Sequence, residues 1–334
     1  MLLIQNPNFS TVVNQLTKED LILHVQKVAN DIKNMKIKGA TTIAIKAMET
    51  IKFVAENSPL DKINDLFRMS IDILKKSRPT EPAMFNGLTY VYNRYMELKT
   101  DKPSKNKELI INLADSYLNM LKSSFEKIID IGSRLIPDRA TIMTHCHSST
   151  VTQIILKARN MGKNIRVIST ETRPIYQGRI TARELSEAGI EVYHVVDSAM
   201  HWVFNKYKPD LVLIGADAIS SVGTVINKIG SNLLALVAKE HSVPLYIATT
   251  LLKMDIRTIY GVSTEIEMRP PKEVWGEAPD IVKILNPAFE VIEPKYIRGI
   301  ISEAGIIPPN LVAYVFKERY PEILHLDREA KYIL

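Results

Sequence analysis

Beyond Pro137 the chain adopts an alternation that few folds can accommodate. Short apolar runs (TIMTH, IRVIST, EVYHVV, LVLIG and PLYIATT) recur about every 20 to 33 residues between positions 141 and 250. Helical patterns fill the gaps, as in QGRITARELSEAG and NKIGSNLLALVAKEH. Parallel strands need a long crossover, so strands alternating with helices make βαβ units and a sheet covered on both faces. The expected fold class is α/β: a helical N-terminal domain over residues 1–130, then a Rossmann-like parallel α/β domain over residues 131–334.

The first part has a different period. LTKEDLILHVQKVANDIKNM and ATTIAIKAMETIKFVAE place apolar residues three and four apart, as amphipathic helices do. SKNKELIINLADSYLNMLKSSFEKIIDIGSRL continues that period for about thirty residues, as one connecting helix or two abutting ones. RPTEPAMFNG, with its prolines and glycine, reads as a loop.

Lys and Arg number 43 against 37 Asp and Glu, a formal net charge of +6. Such a balance suits an anionic ligand or a solvated lysine-rich surface. The basic residues form no run of five or six, so no nucleic-acid partner is expected. The single cysteine excludes an intramolecular disulfide and suits a reducing compartment. The start, MLLIQNPNFSTVV, lacks the basic and long apolar parts of a signal peptide, and no apolar stretch approaches the roughly 20 residues of a membrane span. A cytoplasmic protein without a membrane partner is the expectation.

In a parallel α/β sheet, ligands sit outside the carboxyl ends of the strands. The residues placed there are His145-Cys146, Glu171, Asp197, Asp217 and Thr249-Thr250. No G-x-G-x-x-G and no Walker A sequence occurs, which argues against a dinucleotide or a P-loop nucleotide; no cofactor is expected. Nor is a metal expected at His145-Cys146-His147. A strand persisting through residue 147 would send the two histidines to one side and the thiol to the other. Three consecutive ligands close a tetrahedral shell poorly, and no C-x-x-C or H-x-x-x-H stands elsewhere.

Ser148-Ser149-Thr150 are N-cap residues for the helical VTQIILKARN. A helix N-terminus there binds phosphate and favours thiolate, which would lower the Cys146 pKa below its reference of about 8.5. Asp217 directly follows an apolar run, so its carboxyl is expected to be poorly solvated and ready to donate a proton. Asn227-Lys228 are expected to open the next helix, bringing a donor and a cation to the same edge.

Four motifs, TIMTHCHSSTV, STETRPIYQGRITARELSEAGI, VVDSAM and GADAISSVGTVINKIGS, resemble the superfamily of sugar-phosphate isomerases and translation-factor 2B subunits. The resemblance runs from MKIKGATTIA to NPAFEVIEPKYIRGIISEAGIIPP, most of the chain. It implies a helical domain on a Rossmann-like one, assembled as a homo-oligomer, dimer or hexamer. It also implies a catalytic pair, Cys146 and Asp217, which the non-enzymatic regulatory members generally lack. GADAI with VINKIG is most similar to the archaeal ribose-1,5-bisphosphate isomerases; methylthioribose-phosphate isomerases usually carry arginine where this chain has Ala218. That branch implies a phosphorylated pentose substrate, with AMP as a candidate activator. By position, Lys38, Gly39, Ala40, Thr41 and Arg78 match its substrate contacts. So do Ser148, Ser149, Thr150, Asn227, Lys228 and Lys253, with Gln177 a weaker match. Lys38 stands where the isomerases usually have arginine, which would replace a bidentate clamp by a point charge. His147 replaces a common asparagine, and SSTV is similar to the translation-factor-like archaeal members.

Overall fold

The computed structural model describes residues 16–324; the opening segment considered above for a signal peptide, residues 1–13, lies outside them. Five helices come first: α1 (Lys18–Lys33), α2 (Ala40–Asn57), α3 (Ile63–Ser77), α4 (Pro82–Leu98) and α5 (Pro103–Leu135). A capping box between Thr17 and Asp20 starts α1, and its stripe of Leu21, Val25, Val28, Ala29 and Ile32 is buried. The long periodic stretch forms one helix, α5, which runs through residue 130.

RPTEPAMFNG is not a loop as expected. Only its first four residues lie outside helix, because Pro82 takes the first position of α4, where its missing N–H costs nothing. Gly87 then sits mid-helix for a packing reason. A Cβ added there would lie 2.5 Å from the Tyr117 ring of α5. The bare backbone lets α4 and α5 approach, and Tyr117 donates from its hydroxyl to the Ala83 carbonyl at 2.6 Å.

All five anticipated strands form: β1 (Thr141–Thr144), β2 (Arg166–Thr170), β3 (Glu191–Val195), β4 (Leu211–Ile214) and β7 (Leu245–Ala248). Helices α6 (Ser149–Asn160), α7 (Gly178–Glu187), α8 (Met200–Tyr207) and α9 (Ser231–Glu240) connect them. Two further strands, β9 (Gly299–Ser302) and β10 (Gly305–Ile307), extend the sheet to the order β10-β9-β7-β4-β1-β2-β3. Only the β9–β10 pair is antiparallel. A small second sheet joins β5 (Ala218–Ile219), β6 (Val225–Lys228) and β8 (Phe289–Ile292), and α10 (Val312–Arg319) and α11 (Pro321–Leu324) end the described chain.

Both faces of the large sheet are covered. One core joins Met143, Ile168 and Val212 to the helical bundle through residues such as Leu88 and Leu252. The other packs Ile142, Val167 and Leu213 under Ile128, Ile154 and Leu185. Asn86 of α4 ties the halves together, donating both amide hydrogens, at 2.8 Å each, to the carbonyls of Leu252 and Met254. Among the described residues no helix is long and apolar enough to cross a membrane.

Gly87→Ala tests the close contact between α4 and α5. Overpacking costs about 1–3 kcal/mol, while alanine's better helix propensity offsets at most about 1 kcal/mol. The urea midpoint should fall with an unchanged slope; a midpoint equal to wild type would mean that the Tyr117 ring swings aside freely.

Candidate active site

The sheet order reverses beside β1: the chain steps outward through β2 and β3, then returns to place β4 on the other flank. Such a reversal opens a crevice, because the connections leave the two strands in opposite directions. Ile142 pairs with Leu211 and Met143 with Val212, so β1 and β4 end together at that crevice. Cys146 follows β1 and Asp217 follows β4, and both line one cavity of about 470 Å³. That size suits a small polar metabolite.

The same cavity gathers the pair and the substrate contacts that the resemblance implies, whereas His145, Glu171, Asp197, Thr249 and Thr250, expected at the same edge, do not line it. Ser148, Ser149 and Thr150 reach it at the N-terminus of α6, and Gln177 from the turn before α7. Asn227, Lys228 and Lys253 come from the strand and turn beyond Asp217. From the helical half, Lys38, Gly39, Ala40 and Thr41 bring the N-terminus of α2, and Arg78 comes from the end of α3. Two helix N-termini with free N–H groups therefore face one space, each a natural seat for an anion.

Three local expectations need correction. Asn227 and Lys228 do not open a helix: they end β6 opposite Glu290 and Phe289, and α9 begins at Ser231. The Lys228 ammonium lies 4.8 Å from the centre of the Phe289 ring, and the Asn227 amide donates to Ser231 Oγ at 2.9 Å. Second, the strand does not persist to residue 147. It stops at Thr144, and Cys146 takes the left-handed conformation, with φ 65°. A non-glycine residue held there costs on the order of 1 kcal/mol and must be clamped. The clamp is visible: its N–H donates to Thr172 Oγ1 at 2.9 Å and its carbonyl accepts from Thr181 Oγ1 at 3.0 Å. Asp197 in turn accepts from the Thr172 N–H at 2.8 Å.

The third correction concerns the thiol itself. Cys146 is 8% exposed, and burial pushes its pKa up to about 12. The Lys228 ammonium pulls it down and the Asp217 carboxylate pushes it up, but desolvation outweighs both. The helix dipole alone does not make a low-pKa thiol here.

The flanking histidines do not share a ligand position with Cys146. His145 is buried, and burial lowers its pKa. Its Nε2–H faces the Ile229 carbonyl at 2.8 Å, so neutral Nδ1 accepts from Thr170 Oγ1 at 2.6 Å. Gly230, at φ +101°, leaves room for that ring, since a Cβ there would meet Cε1 at 2.7 Å. His147 instead hydrogen-bonds Thr181 Oγ1 at 3.1 Å.

Four charged groups that the sequence does not single out, Glu81, Glu267, Arg269 and Glu273, also line the cavity and surround Arg78. Arg78, 7% exposed, is held by Glu81 at 3.2 Å and Glu267 at 2.8 Å; Glu267 also pairs with Arg269 at 3.2 Å, and Arg269 with Glu273 at 2.5 Å. Burial pulls Lys253 below its ordinary range, against the opposing Asp217 and Glu81, while its ammonium donates to the Ala216 carbonyl at 2.7 Å. Gln177 leaves a buried amide oxygen without a partner. Glu81 stood inside RPTEPAMFNG, misread as a loop. Glu267, Arg269 and Glu273 lie in an irregular stretch whose sequence carries no sign of a contact 189 residues away.

Fold and cavity together define an N-terminal helical region packed on a doubly wound α/β sheet around a crevice lined by charged side chains. The chain matches the Initiation factor 2 subunit family over residues 36–309 and belongs to it. It is 38% identical over 299 residues, 88% of this chain and 93% of the relative, to a ribose 1,5-bisphosphate isomerase of Archaeoglobus fulgidus. It is 39% identical over 310 residues, 90% of this chain and 95% of the relative, to that of Pyrococcus furiosus. Among solved structures it is similar to a 5-methylthioribose 1-phosphate isomerase from Pyrococcus horikoshii, with TM-score 0.74, 29% identity, and coverage of 89% of this chain and 87% of the other.

The buried thiol has a direct readout. In the ligand-free protein, iodoacetamide should alkylate Cys146 more slowly than a free cysteine, at a rate still climbing at pH 10, because only the thiolate reacts. A rate that levels off near pH 7 would show the opposite electrostatics.

Proposed function

We propose that this protein is a sugar-phosphate isomerase that converts ribose 1,5-bisphosphate to ribulose 1,5-bisphosphate. One observation carries the proposal: a thiol and a carboxyl leave adjacent strands into a cavity flanked by two helix N-termini. A bisphosphate has an anion for each. One phosphate sits at Ser148, Ser149 and Thr150 with Lys228; the other sits at Lys38, Gly39, Ala40 and Thr41 with Arg78. Asn227, Lys253 and Gln177 contact the sugar between them. Fixing both ends orients the reacting carbon, which is the main service a site of this kind supplies.

A sugar phosphorylated at C1 shows no free aldehyde, so the ring must open during the reaction. Cys146 as thiolate removes the C2 proton; the C2 electron pair forms the C1–C2 double bond as the C1–ring-oxygen bond breaks. Asp217 donates its proton to that oxygen, which becomes the C4 hydroxyl. The enol then gives its C2 hydroxyl proton back to Asp217 and takes the Cys146 proton at C1, yielding the ketose and restoring both groups. Positioned proton transfer typically contributes about 10² to 10⁴ in rate. The two roles reinforce each other: ionised Asp217 raises the thiol pKa, so a protonated Asp217 eases thiolate formation.

The same resemblance supports a homo-oligomer, dimer or hexamer, working in the cytoplasm with AMP as activator. It also supports the division into a helical domain, residues 1–130, and a catalytic domain, residues 131–334.

Cys146→Ser and Asp217→Asn should each abolish turnover of ribose 1,5-bisphosphate while leaving its affinity within about tenfold, since neither seats a phosphate. Near-normal turnover in either variant would refute the assigned roles. An assay with methylthioribose 1-phosphate in parallel separates the two isomerase activities. Lys228→Met should raise KM about tenfold or more through loss of a phosphate cation; an unchanged KM would mean that the anion seat lies elsewhere.

A further inference from the structure

Arg78 stands at the cavity wall as a cation already spoken for. Glu81 and Glu267 both contact it, so one positive charge meets two carboxylates before any ligand arrives. An incoming phosphate dianion would have to compete with both carboxylates for that guanidinium unless one of them were neutralised. The two differ in their surroundings. Glu267 has a second cation, Arg269, and its side chain keeps 26% solvent access. Glu81 is 4% exposed, has Arg78 as its one ion-pair partner among the described residues, and carries a buried Oε2 without a partner there.

We infer that Glu81 takes up a proton from solvent when a phosphate group binds at Arg78, so that anion binding and protonation of Glu81 are one coupled event. The inference rests on the proposed seating of a sugar phosphate at Arg78. Protonation removes one competing charge from the guanidinium and turns the acceptor-only carboxylate into an acid with an O–H to donate. The groups bearing on Glu81 come from each element around it: Arg78 from the end of α3, Asp217 after β4, Lys253 from the turn after β7, and Glu267 from the stretch before β8. Burial dominates among these influences and already raises Glu81 to about 7 in the ligand-free protein, with Arg78 and Lys253 opposing and Asp217 and Glu267 adding to the rise. A phosphate dianion adds another negative charge and raises it further.

The sign follows directly. Below pH 6 Glu81 is already protonated and binding takes up little. Above pH 7 a proton must be acquired, so affinity falls by up to about tenfold per pH unit until the raised pKa of the complex is reached. Sugar phosphates, with a second pKa near 6, are already dianions in that range. Glutamine mimics the protonated acid and removes the linkage.

The test is calorimetric binding of ribulose 1,5-bisphosphate to the Cys146→Ser protein at pH 7.5, in two buffers of different ionisation enthalpy. At least roughly half a proton should be taken up per ligand. Added Glu81→Gln should abolish that uptake and leave affinity flat between pH 7 and 9, whereas added Glu267→Gln should preserve it. Should Glu81→Gln fail to fold, the Glu267→Gln arm still decides, because loss of uptake there assigns the proton to Glu267 and overturns the inference. Tight binding without uptake, beside normal wild-type turnover of ribose 1,5-bisphosphate, overturns the role of Glu81 and spares the isomerase. Absence of both binding and wild-type turnover overturns the two together.

Discussion

The reversal of strand order between β1 and β4 is the constraint on which the rest depends. It leaves a gap at the carboxyl edge that no crossover helix of the α/β half closes, and the chain fills its rim with polar side chains instead. The helical half closes the other side, through the N-terminus of α2 and the end of α3. Asn86 pins that closure by holding the two carbonyls around Lys253. Position and chemistry are thus coupled, since the turn that carries Lys253 is fastened to the helix that follows Glu81.

Charge inside the cavity is arranged in opposition before any ligand enters. Arg78 is held by two carboxylates, Lys253 is bonded to a backbone carbonyl, and Lys228 lies against an aromatic face. Buried cations without partners would be costly, so the free protein supplies stand-ins. On the proposed reading, a bisphosphate would take over from stand-ins at Arg78 and Lys228. The thiol follows the same logic: in the closed, ligand-free cavity it is the neutral form that burial stabilises.

Much of this was legible in the chain, and its failures have identifiable causes. Four of the five strands are recognisable because strands buried on both faces read as continuous apolar runs, while the edge strand β3, only partly buried, shows through its β-branched and aromatic residues. RPTEPAMFNG misleads because proline and glycine usually break helices, whereas Pro82 sits where proline is tolerated and Gly87 makes room for Tyr117. Asn227 and Lys228 mislead because the nearby β5 pairs only with Val225 and Ile226, whereas these two residues pair with β8, some sixty residues later, and so distant a partner leaves no local periodicity. For Cys146 the sequence shows only the nearest helix dipole, a local effect, while burial in the folded protein governs its ionisation.

By itself, then, the sequence determined the alternation of strands and helices, the edge at which function would lie, and the residue types available there, because periodicity and spacing are local properties. Tertiary structure alone decided which of those residues meet. It turned Cys146 into the left-handed conformation, brought Glu267 to Arg78 across 189 positions, and buried Glu81 with one oxygen unpaired. Desolvation and ion pairing depend on neighbours in space, so the electrostatic character of the site exists only once the two halves have closed around it.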